Sequence, residues 1–373
     1  MSWTEPLPRA LHPMAWWLWA LGLATAASRT TNPLLIAVLV AVVGYVVVCR
    51  RGDAPWARAF SAYLILGLLV IALRVVFNAL IGASDDGHQL FALPSVALPG
   101  WAKGIDLGGA VTAEQVLAAV YEGLRLAALI CCVGAANALA NPKRALRSLP
   151  PALYEIGSAV VVALTLAPQL VESVLRVRRA RRLRAAPGKG LRNLRAIAMP
   201  VLEDALSRSL QLAAAMDSRG YGRSNGAPQG LRRTTSAFVL TGLLALCLGL
   251  YGLLDGTAPP LVGLPALTAG LVLSGAGLAI GGRRVRRSTY RPDPWRRAEW
   301  AVGGCGVVCA GVMLVAGSYD PLLLHPSLYP LVWPDLPLLP LMAILVGVLP
   351  AWLAPRPVRA AARRAPQLQA AAA

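Results

Sequence analysis

Long apolar runs with few charges are the feature that most limits the folds open to this 373-residue chain. A helix that crosses about 30 Å of hydrocarbon needs roughly 20 apolar residues at about 1.5 Å each. Only 14% of the residues are charged, whereas soluble globular proteins carry about 25%. The sequence therefore predicts an all-α, polytopic integral membrane protein. We expect eight spans, near residues 14–30, 32–49, 60–82, 112–138, 236–254, 260–281, 299–317 and 332–354.

The basic residues predict how these spans are oriented. The chain has 36 Lys and Arg against 17 Asp and Glu, but these charges lie mostly between apolar runs, so we expect a lipid bilayer and no nucleic acid as partner. With a cytoplasmic N-terminus, alternating spans place 32 of the 36 basic residues inside the cell. Arg29 and Lys103 remain outside, while Arg74 and Arg125 lie within spans. The positive-inside rule thus predicts a multi-pass cell-membrane protein with both termini cytoplasmic.

The first span has a second interpretation. Arg9, a short tryptophan-rich apolar run and the small residues Ala24-Thr25-Ala26 also resemble a cleavable signal peptide. Cleavage would leave the orientation of residues 32–49 unchanged, so charge does not separate the two interpretations. We expect the span to be retained.

Residues 152–175 form an apolar run that breaks the charge pattern. Basic residues precede it, at positions 143–147, and follow it, at positions 176–184. A crossing would leave one of these basic clusters outside the cell. We therefore expect a helix that stays at the cytoplasmic interface, and the alternative is a true span that violates the rule locally.

A cytoplasmic helical module is expected between the membrane segments. Its second helix should begin near Pro200, carry leucines at spacings of three and four, and end at Gly220. An Asp204–Arg208 pair at i, i+4 should support it. The predicted organisation is N-terminal transmembrane helices over 1–140, the cytoplasmic module over 141–235, and C-terminal transmembrane helices with a cytoplasmic tail over 236–373.

The chain has no recognisable catalytic or nucleotide-binding motif. Gly188-Lys189 is followed by Gly190 rather than Ser or Thr, so a phosphate-binding loop is not predicted. The three histidines are isolated, and the six cysteines lie in apolar stretches without metal-ligand spacing. We therefore expect no enzyme activity, no catalytic residue, no metal and no cofactor. Arg74, Glu122 and Arg125 are expected to pair across membrane helices or to snorkel, and the alternative is a role in movement.

Two arginine-bearing helix ends stand out in the cytoplasmic module, at Arg179-Ala180-Arg181-Arg182 and at Ser218-Arg219-Gly220. Each has a plain explanation, because a helix often ends in Arg before Gly and an arginine run often faces lipid headgroups. Two such ends on neighbouring helices favour a more specific interpretation. Their guanidinium forks would be offered to carboxylates of a soluble partner.

With these motifs, the chain resembles the transmembrane T component of energy-coupling factor transporters, a family that includes the cobalt-type permeases. The resemblance covers roughly residues 10–255. It rests on His12-Pro13, Asn32-Pro33, Leu166-Ala167-Pro168 leading to Arg179-Ala180-Arg181-Arg182, and Met199-Pro200 leading to Ala214-Ala215-Met216-Asp217-Ser218-Arg219-Gly220-Tyr221.

The resemblance implies a coupling role. In that family, two X-Arg-X motifs end coupling helices that dock into two ABC-type ATPase subunits, which bind the ATP. The second motif corresponds to Ser218, Arg219 and Gly220, and the first to Arg181 and Arg182, either of which would make the contact. A small membrane S subunit would bind the vitamin or metal ion. The alternative is a membrane scaffold that recruits an acidic soluble protein without energy coupling.

Overall fold

The computed structural model describes residues 11–52, 60–81, 87–96, 107–148, 154–183, 191–220, 229–254, 259, 261–282 and 293–355. The chain divides into two compact units. The first comprises Met1–Ala145 with Pro292–Ala373, and the second comprises Leu146–Arg291. The first unit thus combines both ends of the chain.

The first unit is a helical bundle with one small sheet. Its elements are α1 (Pro13–Ser28), α2 (Pro33–Arg50), α3 (Phe60–Ile81), β1 (Gln89–Val96), β2 (Leu107–Thr112), α4 (Ala113–Leu139), α5 (Pro142–Arg147), α10 (Arg297–Tyr319), α11 (Pro321–Leu324), α12 (Leu338–Val346) and α13 (Pro350–Leu353). Helix α1 packs on α4 and α10, and α2 packs on α4 and α12. The core therefore joins helices from both ends of the sequence.

Glycines allow α1 and α10 to approach at backbone distance. A Cβ added to Gly22 would lie 2.2 Å from the Gly306 carbonyl oxygen, and one added to Gly306 would lie 2.6 Å from the Trp19 Cα. The Trp19 indole is fully buried and donates to the Gly347 carbonyl at 3.0 Å. Close packing of small residues is the usual way in which helices associate in membranes.

Helices α3 and α4 form a second close pair. A Cβ on Gly67 would lie 3.1 Å from the Ala127 Cβ. The Arg74 guanidinium donates to the Glu122 carboxylate at 2.8 Å, so the pairing expected between these residues is confirmed. Arg125 instead donates to the Ser28 carbonyl at the end of α1.

The segment between α3 and α4 contains an antiparallel hairpin that we did not predict. Strands β1 and β2 pair Gln89 with Thr112 and Ala92 with Ala110. The buried Glu114 carboxylate accepts the backbone N–H of His88 at 2.9 Å, which closes the base of the hairpin. The all-α prediction holds for the helical body of the protein, to which this hairpin is a small addition.

The prediction that residues 332–354 form one continuous membrane span is wrong. Residues 332–337 are not helical, and the apolar stretch consists of α12 and α13 with a turn at 347–349 between them. Pro334 and Pro337 disfavour helix before α12, and Pro350 restarts the chain as α13. The apolar stretch from Leu338 to Leu353 is shorter than a full span.

The second unit contains α6 (Tyr154–Leu183), α7 (Leu191–Ser218), α8 (Gln229–Leu254) and α9 (Leu264–Gly282). Helices α6 and α7 contact each other, as do α8 and α9. In the second pair, a Cβ on Gly270 would lie 2.8 Å from the Gly242 carbonyl oxygen. Helix α7 starts at Leu191 rather than near Pro200, because Pro200 is accommodated inside the helix at the expense of one backbone hydrogen bond.

Seven of the described helices are long and apolar enough to cross a membrane. Six of them correspond to spans expected from the sequence, and α1 is shorter than these, with 16 residues. The seventh covers Gly157–Leu183 in α6, the segment that we placed at the cytoplasmic interface. Its length and composition therefore allow the alternative crossing, and its side of the membrane stays a prediction. The protein is a multi-pass membrane protein.

Candidate functional site

The C-terminal end of α7 is fixed by its backbone hydrogen bonds. The Arg219 N–H donates to the Met216 carbonyl at 3.1 Å, and the Gly220 N–H donates to the Asp217 carbonyl at 2.9 Å. Gly220 has a φ of 77°, in the left-handed region where a side chain is strained. The helix therefore ends at Ser218, and Arg219 and Gly220 form the turn that closes it, by backbone geometry and independently of any partner.

Arg219 itself projects from this end. Its side chain is exposed and forms no hydrogen bond or ion pair with the described residues. Ser218 uses its hydroxyl locally, donating to the Ala215 carbonyl at 3.0 Å. Of the predicted motif, Arg219 is thus the residue with an uncommitted polar group.

The end of α6 distinguishes between the two arginines of the first motif. Arg181 and Arg182 both lie in the last turn of the helix. Arg182 is exposed, whereas Arg181 is half-buried and engaged in an interaction of its own. Exposure therefore favours Arg182 as the residue available to a partner.

A carboxylate joins the two helices at their crossing. Asp204 of α7 accepts the Ser173 hydroxyl of α6 at 2.8 Å and the Arg208 Nε at 3.0 Å, so the predicted Asp204–Arg208 pair is confirmed. The Arg176 guanidinium lies 3.8 Å from the same carboxylate. Hydrogen bonds from Arg208 and then Ser173 lower the pKa of Asp204 below its ordinary value. We call Asp204, Ser173, Arg176 and Arg208 the α6–α7 clasp.

The two arginine ends lie some distance from this clasp. Arg182 is nine residues beyond Ser173, and Arg219 is fifteen residues beyond Asp204. At about 1.5 Å per helical residue, these separations correspond to roughly 14 Å along α6 and roughly 22 Å along α7. Both ends are therefore attached to one junction through short lengths of continuous helix.

A groove of about 330 Å³ lies beside the clasp. Its walls are mostly apolar, with the clasp carboxylate at one side. The lining residues are Leu166, Gln169, Leu170, Ser173, Leu202, Asp204, Ala205, Leu206, Arg208 and Ser209.

The apolar stripe predicted on α7 is present and lies open. Leu202, Leu206 and Leu210 are 62%, 63% and 63% exposed. Their spacing of four places them on one helix face. Because this face is exposed in the chain alone, it is available to the bilayer or to another apolar surface.

Sequence reasoning identified the arginines and the Asp204–Arg208 pair, but missed Ser173 and Arg176 as partners of Asp204. The i, i+4 spacing signals a pair within one helix. No comparable signal marks a contact between α6 and α7, so the junction required the tertiary structure.

Within the part of the chain that the structure describes, the remaining ionisable groups do not form a metal centre. In the described ranges, no three His, Cys, Asp or Glu side chains are placed so that they could hold a metal ion. The arrangement presents exposed arginine side chains at the ends of α6 and α7.

Comparison with known proteins identifies one family. A family model described as CbiQ, cobalt transport protein, matches residues 7–229, more than half of the chain. The match runs from before α1 to the start of α8 and includes both arginine ends. No curated protein matches the chain.

Proposed function

Since the chain belongs to the CbiQ family of cobalt transport proteins, we propose that it is the transmembrane coupling subunit of an energy-coupling factor importer. The family is one of membrane transport components rather than enzymes. In the proposed assembly, two ABC-type ATPase subunits bind ATP, and a small membrane S subunit carries a vitamin or a metal ion. This chain would link the two without chemistry of its own.

The single observation that carries the proposal is the pair of exposed arginines at helix ends within the family-matched region. Arg219 extends from an end that Gly220 terminates, and Arg182 lies exposed in the last turn of α6. A guanidinium at such a position can enter a groove and bind a carboxylate with two hydrogen bonds. The acidic sites on the ATPases would thus be matched by two separate arginines.

The α6–α7 clasp supports a mechanical role for the same helices. When the ATPases close on ATP, the arginine ends would be displaced, and α6 and α7 would carry that displacement to the clasp as rigid elements. The clasp would make α6 and α7 move together. The exposed leucines of α7 would then carry the movement to the apolar surface of the S subunit.

Substitution of Arg219 tests the proposal directly. If Arg219 pairs with a desolvated carboxylate, its loss costs roughly 2–5 kcal/mol at the interface. We expect Arg219→Ala to weaken co-purification of the ATPases, and Arg219→Glu to abolish uptake, at unchanged membrane expression. Arg195→Ala is the matched control, because Arg195 is also an exposed arginine of α7.

Two further outcomes separate the alternatives. Equal uptake by the Arg219 and Arg195 variants would mean that α7 contributes only general positive charge. A partner that binds through Arg219 without any transport activity would favour a scaffold instead. The isolated chain should show no ATPase activity above background, and sustained hydrolysis by it would contradict the coupling role.

A further inference from the structure

Two loops and helix α4 meet at the C-terminal end of α1. The Thr30 hydroxyl and the Thr31 N–H both donate to the Leu324 carbonyl, at 2.8 and 3.1 Å. The Thr31 hydroxyl lies 3.1 Å from the Nδ1 of His325. Together with the Arg125 bond to the Ser28 carbonyl, these contacts hold the α1–α2 turn, the chain after α11 and the middle of α4 together.

This junction concentrates positive charge. Arg29 is exposed, and neither Arg29 nor Arg125 forms an ion pair with the residues that the structure describes. Burial lowers the pKa of His325, and the nearby charges of Arg125 and Arg29 lower it further. Arg29 directly follows Ser28, whose carbonyl binds Arg125, and the hydroxyl of Thr31, two residues further on, contacts His325.

Two carboxylates close to the junction among the described residues have other partners. Glu122 lies one helical turn from Arg125 but is paired with Arg74. Asp320 accepts the Leu322 N–H at 3.1 Å instead of binding an arginine. The bond to the Ser28 carbonyl gives one N–H group of Arg125 a role as a cap on α1. This cap does not account for the presence of Arg29 and His325 at the same junction.

The chain around the junction exposes large aromatic and aliphatic side chains. Tyr319 and Trp333 are 87% and 84% exposed, and Tyr329 and Leu322 are also exposed. Tyr and Trp are enriched where a protein crosses the boundary between hydrocarbon and lipid headgroups. The positive cluster thus lies within a surface suited to the headgroup layer.

We propose that Arg29, Arg125 and His325 form a binding site for the phosphate of an anionic phospholipid headgroup, flanked by the aromatic side chains of residues 319–333. The two guanidinium groups supply planar donors matched to phosphate oxygens. The site depends on neither the ATPases nor the transported substrate, so it stands apart from the proposed coupling role.

The test measures lipid binding to the purified, delipidated full-length protein by native mass spectrometry. Phosphatidylglycerol, phosphatidylethanolamine and inorganic phosphate are added separately. We expect phosphatidylglycerol to bind about tenfold more tightly than phosphatidylethanolamine, a difference of about 1.4 kcal/mol. Arg29→Gln should remove this preference. Arg297→Gln, at the opposite end of α10 from Tyr319, should retain it.

The variants also control for misfolding. Arg125→Gln removes the cap on α1 and is used only if its thermal unfolding matches the wild type, whereas the Arg29 side chain has no described partner to lose. Equal phosphatidylglycerol binding by wild type and Arg29→Gln would overturn the proposal. Displacement of the lipid by millimolar inorganic phosphate, with equal stabilisation of the protein, would overturn the lipid assignment and identify a free anion as the ligand.

Discussion

His12 and Asn32 perform the same task at the starts of two membrane helices. The His12 Nδ1 accepts the Met14 N–H at 3.2 Å, and the Asn32 side-chain oxygen accepts the Leu34 N–H at 3.0 Å. A proline follows each of them and supplies a preformed first helical residue. Free N–H groups are expensive near hydrocarbon, which gives a physical reason for the His-Pro and Asn-Pro pairs.

Asp204 shows how one residue can join two helices. Its lowered pKa means that the carboxylate stabilises the α6–α7 clasp above the pKa of an unfolded Asp, about 3.9. This contribution is lost as the pH falls through the lower pKa of the folded state.

We therefore expect Asp204→Asn to lower the thermal unfolding temperature at pH 7, because the amide cannot replace the charge beside Arg208 and Arg176. The difference from wild type should shrink below pH 4. Thermal scans of both proteins at the two pH values measure it. Glu203→Gln, an exposed neighbour, is the control, and an equal effect of both substitutions would contradict the clasp.

At the scale of elements, glycines determine which helices can pack closely. Helix α10 contains Gly304 and Gly306 two positions apart, but only Gly306 faces a neighbour. A Cβ at Gly306 meets Trp19 and Leu18 backbone atoms, whereas a Cβ at Gly304 meets nothing within 4 Å. The two positions thus form a natural comparison within one helix.

We expect Gly306→Ala to destabilise the first unit by about 1–3 kcal/mol, the usual range for overpacking. Gly304→Ala should be neutral or slightly stabilising, because alanine is the better helix former. Unfolding of both variants in the same detergent measures the difference. Equal stability would show that α1 and α10 do not approach as described.

Whether α6 crosses the membrane or stays at the cytoplasmic interface is a second prediction at the scale of elements. Single cysteines at Ser148 and Ser207, in a background without native cysteines, report the two sides of α6. If α6 stays at the cytoplasmic interface, both should be protected from an impermeant thiol reagent added to intact cells. Gln89→Cys, exposed at the start of β1, should be labelled. Labelling of one of Ser148 and Ser207 alone would show that α6 crosses.

At the scale of the whole molecule, the region after residue 229 completes the core of the family-matched part. Ile344 is fully buried, the Arg50 Nε donates to the Ala351 carbonyl at 2.8 Å, and the Asn32 amide donates to the Asp335 carbonyl at 2.7 Å. Helix α1 is equally part of this core through Trp19 and Leu23. Retention of the first helix, expected from the sequence, stays a prediction.

A truncation tests this dependence. Ending the chain after Pro337 removes α12 and α13, and emptying even one buried Ile or Leu site costs about 2–5 kcal/mol. We expect lower expression and a lower unfolding temperature than for a chain ending after Pro355, which lacks only the Ala-rich tail. Equal behaviour of the two truncations would mean that α12 and α13 are peripheral.

The sequence by itself determined the membrane class, most of the spans, the helix-end motifs and the family resemblance. These properties follow from local physics, because a backbone in hydrocarbon must satisfy its hydrogen bonds within its own helix. Only the tertiary structure decided that Trp19 bonds to Gly347, 328 positions away, and that Ser173 joins Asp204. Such contacts depend on shape matching between distant helices. Apolar periodicity indicates which face of a helix is buried but does not indicate which other helix it packs against. The hairpin at 89–112 escaped prediction for the same reason, since its two strands stabilise each other only once paired.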